Sequence, residues 1–230
     1  MRKNRDSRQA IVDAATVEFA TRGFTAASVD LIARRARVNK AMIYYHFGSK
    51  VRLYRAILSQ VFDLLFLRIH EIAESRRAPD EKIAAFIEAV VREGEARPDF
   101  PRMMAREIAD RGRRLDAATI RTMARLPRTV AGIIEEGIAA GRFVEVDPVL
   151  TYFILVGPMM LYLMSAPVRV AIGRLKLFDT DRLRTEAFIQ HLQAVARRAL
   201  VCGPARAPSV GRARPGGRRR SNSARPGDDR

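Results

Sequence analysis

Two helix-length segments stand almost end to end near the start of the chain, and the gap between them leaves little choice of geometry. Ser28 precedes Val29, Ile32, Ala33 and Ala36, which share one helical face, and Asp30 in the first turn suits the helix dipole. Only Arg37 and Val38 follow before Asn39, a second N-cap residue, opens a segment carrying Ile43 and Phe47 on one side. Gly48 breaks that segment, and Ser49 caps a long helix through Val51, Tyr54, Ile57, Leu58, Val61, Leu65 and Ile69. Short helices joined by so tight a turn must cross steeply, with a small residue such as Ala33 where they touch. This is the helix-turn-helix arrangement, whose second helix enters the major groove of DNA. A helical hairpin with no nucleic-acid role has the same caps, so charge has to decide.

The chain carries 42 Lys and Arg against 25 Asp and Glu, a formal +17. Residues 1–60 hold 12 basic and 4 acidic residues, residues 61–202 hold 22 and 19, and residues 203–230 hold 8 and 2. The excess therefore sits at the two ends. From Leu31 to Phe62 there is no acidic residue, while Arg34, Arg35, Arg37, Lys40, Lys50, Arg52 and Arg55 all fall there. A solvated helical face mixes both signs, so a one-sign stretch marks a surface that meets an anion. The charged opening MRKNRDSRQ has no apolar core and does not read as a secretory signal. The single cysteine, Cys202, excludes an intrachain disulfide and fits a reducing, cytoplasmic setting.

Ahead of the two short helices, Ile11, Ala15 and Phe19 recur at four-residue spacing, predicting a helix over about Arg5–Thr21 with Gly23 at its C-terminal cap. The run of Ile11, Ala14, Ala15 and Phe19, then Gly23-Phe24, Ile32-Ala33 and Ile43-Tyr44-x-His46-Phe47-x-Ser49-Lys50 resembles the N-terminal domain of TetR family regulators. The likeness covers about the first 55 residues. It implies an all-α fold: a helix-turn-helix domain (1–50), a helical effector-binding and dimerisation domain (51–202), and an Arg-rich tail (203–230). Two positions depart from the family pattern. Arg37 stands at a turn position usually held by Gly, and Val51 follows the Lys where an acidic residue is usual.

Asn39–His46 is the expected recognition helix. Val38, Ile43 and Phe47 should form its buried side, leaving Lys40, Ala41, Met42, Tyr44 and Tyr45 outward. Lys40 suits guanine O6 and N7, and Ala41 and Met42 suit a thymine methyl. Tyr44, Tyr45 and His46 match positions that the family resemblance assigns to phosphates or base edges. Packing against the long helix is the competing role for the tyrosines. Lys50 lies in the first turn of a helix with no acid there, so a phosphate would complement both the ammonium and the free N–H groups. Ser28 is a phosphate candidate by the same logic, at the start of the second helix.

Residues 80–95, 99–110 and 116–140 read as further helices, separated at Pro79, Pro98, Pro101 and Gly112. Asp147-Pro148 opens another, and Pro148–Val168 is uncharged over 21 residues. That length admits a membrane span. Three prolines, the polar interruptions and the Asp cap favour instead a helix buried on nearly all sides within an oligomer. A last helix, about Asp181–Val201, has a broad apolar face. The family resemblance implies that the last two long helices form a homodimer and that an effector cavity lies beside the long fourth helix. Phe62, Phe66, Phe86, Met103, Met104, Met123, Tyr152, Phe153 and Met160 are the candidates to line it, each equally suited by type to plain core.

These features point to a ligand-responsive regulator, most simply a repressor, that binds a palindromic double-stranded DNA operator as a homodimer and is released by a small molecule. No cofactor or metal site, nucleophile–base pair or phosphate loop is legible, so an enzyme is the reading with least support. A basic membrane-associated protein anchored by 148–168, and a non-specific nucleic-acid binder driven by the tail, are the alternatives.

Overall fold

The computed structural model describes residues 2–176 and 180–201. The Arg-rich stretch 203–230 and Cys202 lie outside the described residues. Among the described residues ten helices follow one another: α1 (Arg2–Ala26), α2 (Val29–Ala36), α3 (Lys40–Phe47), α4 (Lys50–Ala73), α5 (Pro79–Ala96), α6 (Asp99–Ala109), α7 (Ala117–Ala139), α8 (Pro148–Met164), α9 (Ala166–Arg174) and α10 (Thr185–Leu200). A short 3₁₀ turn, Thr180–Leu183, precedes α10. No strand occurs among the described residues, where only an isolated bridge joins Phe143 and Val201. The fold is all-α.

Side chains cap the starts that the sequence marks. Ser28, Asn39, Ser49 and Asp147 accept from Leu31 N, Ala41 N, Arg52 N and Leu150 N respectively. Each such cap is worth about 1 kcal/mol. Gly23 interrupts α1 with φ 73 and ψ 170, so the regular helix ends there and one further turn leads to α2. The last predicted helix is shorter than expected, because the 3₁₀ turn ends at Leu183 and α10 begins at Thr185.

Two apolar clusters organise the packing. The front one joins Ile11, Ala15 and Phe19 of α1 to Ile32, Ile43 and Phe47, and to Leu53, Ile57 and Leu58 of α4. The rear one joins Leu65 and Ile69 of α4 to α5, α7, α8 and α10. Burying each of these large side chains contributes about 1.5–3 kcal/mol. α4 therefore belongs to both clusters, and its front half completes the helix-turn-helix core. Met103 and Met104 of α6 also enter the front cluster.

The apolar segment 148–168 differs from the expected single helix in one way. It breaks at Ser165, so that α8 and α9 meet at 53°. No single helix among the described residues is long and apolar enough to cross a membrane, although this bent pair passes by length and composition. In the single chain α8 is buried along one side, and the expected burial within an oligomer would cover the other. Thr151, Tyr152, Leu155, Met159 and Tyr162 face inward, while Leu150, Phe153, Ile154 and Leu161 are exposed.

Candidate nucleic-acid interface and effector cavity

The turn between α2 and α3 is held by its backbone. Arg37 adopts φ 54 and ψ 41, and its N–H and that of Val38 bond Arg34 O and Ala33 O at 3.1 and 3.0 Å. A residue other than glycine occupies a left-handed position here, at a cost of about 1 kcal/mol. Glu18, a buried carboxylate on α1, accepts from the Ser28 N–H at 3.3 Å and pairs with Arg22 and Arg35 at 3.2 and 3.7 Å. It thereby ties α1 to the start of α2. The sequence carries a signal for this role: Glu18 falls seven residues after Ile11, on the apolar face of α1.

α3 turns Ile43 and Phe47 into the core and leaves Lys40, Ala41, Tyr44 and Tyr45 outside. Tyr45 is 72% exposed, so packing against α4 does not account for it. Met42 is half-buried against the front cluster, which leaves only part of it facing outward. Lys40 Nζ pairs with Asp30 of α2 at 2.8 Å, and the hydrogen bond and charge of Asp30 raise the ammonium above its ordinary value. His46 Nε2 stands 2.9 Å from Ser7 Oγ and is half-buried, so it links α3 to α1. Ser28 and Asn39 both cap helices with their side chains.

Lys50 is placed differently from the simple picture of a cation at a helix start. Its ammonium reaches back to Thr25 O at 3.3 Å and lies 4.7 Å from the centre of the Phe24 ring. Burial, followed by the nearby Arg114 guanidinium, pushes it below its ordinary value.

Behind the helix-turn-helix, α6 is bonded to it at several points. The Tyr54 hydroxyl of α4 donates to Glu107 Oε2 at 3.0 Å, and Glu107 is only 1% exposed. Arg114 donates to the same carboxylate through its backbone N–H and its guanidinium, both at 3.1 Å. Burial and the Glu107 charge drive the Tyr54 hydroxyl far above its ordinary value. Arg106 donates to Thr21 O at 3.2 Å. The Tyr54–Glu107 and Arg106–Thr21 partners are far apart in sequence, so no local pattern announces them.

The opposite side of α6 lines an open cavity of about 480 Å³ between α4, α5, α6, α7 and α8. Phe100, Pro101, Met104 and Ile108 supply that wall. Of the predicted lining residues, Phe62, Met104, Met123, Tyr152, Phe153 and Met160 do face the cavity. Phe66, Phe86 and Met103 do not. Phe66 stacks on His70 beneath the Arg125 guanidinium, Phe86 is wholly buried in the rear core, and Met103 turns toward α1 in the front cluster. Helical spacing is the same for core and cavity, so residue type alone could not separate them. Burial lifts the Tyr152 hydroxyl to about 12. The ionisable groups that the sequence reading missed are Glu93 and Arg97, which both line the cavity and pair with each other.

A model of bacterial regulatory proteins of the tetR family matches residues 11–57, and a tetracyclin repressor-like C-terminal domain matches residues 79–194. The chain is 36% identical over 86 residues to the HTH-type transcriptional activator FasR of Mycolicibacterium smegmatis, which is 37% of this chain and 39% of FasR. It is 29% identical over 141 residues to the HTH-type transcriptional repressor NicS of Pseudomonas putida, 59% of this chain and 63% of NicS. The chain thus spans less than two thirds of the length of these curated relatives. In fold it is similar to the transcriptional regulator FadR from Bacillus subtilis, solved in complex with stearoyl-CoA, at a TM-score of 0.65 and 19% identity over 83% of this chain and 98% of that one. The two domain matches together take in both the helix-turn-helix and the cavity-bearing helices, and the chain belongs to the TetR family of bacterial regulatory proteins.

Proposed function

We propose that this chain is a transcriptional regulator that binds duplex DNA through α3 and releases it when a small molecule fills the cavity. Phosphate contacts position such a protein and base contacts give it sequence preference. In this reading Ser28 and Lys50 belong with the first kind, together with His46 and the exposed arginines. Lys40, Ala41, Met42, Tyr44 and Tyr45 belong with the second, and Asn39 fixes the helix start from which they project. Repression is the simplest mode of action, because occupied DNA obstructs transcription without further contacts.

A second copy completes the proposal. Leu150, Ile154 and Leu161 form an outward apolar stripe on α8, and α10 adds exposed Val195. Tyr162 of α8 stacks on Phe188 of α10 at 4.0 Å, which joins the two helices at that point. An exposed apolar face of this kind favours self-association. Two copies related by a two-fold axis would offer two α3 helices to a palindromic operator.

One observation carries the regulatory part. α6 faces the cavity through Met104 and Ile108 and faces the helix-turn-helix through Met103, Arg106 and Glu107. A ligand that shifts α6 acts on both, and DNA affinity changes by the ligand's differential affinity for the two arrangements. The test compares wild type with Ala124→Phe, which fills the cavity, on a duplex selected from a random pool. The reading predicts a changed affinity for that duplex with α3 untouched. Equal affinity of the two proteins, with both folded, contradicts coupling between cavity and DNA.

A further inference from the structure

Apart from Tyr152, the cavity lining is apolar except at the Glu93–Arg97 pair, and these two residues are unequally tied to their places. The Arg97 side chain is 45% exposed and sits at the C-terminal cap of α5, where the backbone has left the helix. The Glu93 side chain is 22% exposed, lies within the last turn of the helix, and has its Oε1 atom shut off from solvent. Beside it, Gly94 leaves room for Leu163, whose Cδ1 would be only 2.2 Å from an added Cβ. That close approach holds the α5 segment against α8.

This asymmetry fixes which partner can leave. Swinging Arg97 into water returns a half-exposed guanidinium to solvent at little cost to that group. Its departure strands a partly buried carboxylate, so it proceeds only if another cation replaces it. Displacing Glu93 in favour of an anionic ligand strands that same carboxylate with nothing to neutralise it. An anion that instead shared Arg97 would stand beside the Glu93 charge. The aromatic walls add a preference of the same sign, since Phe62 and Phe100 form an edge-to-face pair at 5.4 Å and both line the cavity. Ring faces attract cations and not anions.

We infer that the cavity takes an apolar organic cation, whose charged group replaces the Arg97 guanidinium beside Glu93. Arg97 then acts as a built-in stand-in for the ligand's charge when the cavity is empty. This rests on the reading of the cavity as the effector site. It narrows that reading to one ligand class.

Isothermal titration of the full chain with decyltrimethylammonium, decyl sulfate and decanol, each below its micelle-forming concentration, tests it. Wild type should bind the ammonium at least about tenfold tighter than the sulfate. Glu93→Gln should weaken ammonium binding by about tenfold while decanol binding stays within about twofold, which also shows that the variant is folded. Arg97→Gln should bind the ammonium as tightly as wild type or more so. Tighter binding of decyl sulfate than of the ammonium, an unaltered ammonium affinity in Glu93→Gln, or its loss in Arg97→Gln overturns the assignment of charge. Should none of the three probes bind, the cavity reading itself falls. Binding of decanol or decyl sulfate without the ammonium overturns only the cation.

Discussion

The Tyr54 hydroxyl donates to Glu107 Oε2 at 3.0 Å, joining the helix that completes the DNA-binding core to a helix that walls the cavity. Glu107 is almost wholly buried, so this bond cannot be exchanged for one to water. Tyr54→Phe should lower stability by about 1 kcal/mol, and Glu107→Ala by more, because it strands Tyr54 and Arg114 together. Denaturant melts of the two variants check this. If Glu107→Ala is no less stable than Tyr54→Phe, the carboxylate is not the hub that its three hydrogen bonds imply.

The left-handed Arg37 offers a test of the turn alone. With φ 54 and ψ 41, Arg37→Gly relieves backbone strain but also frees the unfolded chain, so the net effect should lie between neutral and about 1 kcal/mol stabilising. Thermal melting without DNA measures it. A clear fall in melting temperature contradicts the left-handed geometry.

Lys50 carries two contacts within the fold, to Thr25 O and to the Phe24 ring. If it also meets a phosphate, Lys50→Ala should weaken binding to all duplexes alike and reduce the salt slope of log affinity by about 0.9. An unchanged slope, with only stability reduced, would confine Lys50 to a structural role.

Asp80 joins three elements in the rear domain: it starts α5 and receives Arg142 at 2.6 Å and Arg197 of α10 at 2.8 Å. Burial alone would raise its carboxyl, but the hydrogen bonds from Arg142 and Arg197 outweigh burial and hold it below the usual carboxylate range. A group depressed in the folded state stabilises above its unfolded pKa of about 3.9 and loses that contribution as pH falls through its folded value. Asp80→Asn should therefore destabilise at pH 7 by about 1–3 kcal/mol and make progressively less difference in acid. A destabilisation that is the same at neutral and acid pH counts against the charged form as the cause.

Local chemistry made the front of the molecule readable. Ser28, Asn39, Ser49 and Asp147 cap the helices they were expected to cap, since a cap is a contact between near neighbours. Ile43 and Phe47 turn inward because a helical period decides it. What escaped the sequence depends on distant partners. Glu107 meets Tyr54 across 53 positions, and nothing local distinguishes it from a surface acid. Phe86 and Phe62 are the same residue type at helical spacing, yet one is core and the other lines the cavity, because the packing of five helices decides which is which. The break at Ser165 lies two residues before Pro167, but Pro158 in the same segment is carried inside α8, so proline alone did not show where the segment parts.

The central claim is that α3 of two copies reads DNA sequence. It is met most directly by selecting duplexes from a random pool with the full chain and sequencing those retained. The account predicts enrichment of a two-fold-symmetric site whose half-sites lie about one helical turn apart or a multiple of it, and a different preferred base where Lys40→Ala replaces wild type. Retention of duplexes without any enriched sequence, or the same sequence preference in Lys40→Ala, Tyr44→Ala and Tyr45→Ala as in wild type, would contradict it.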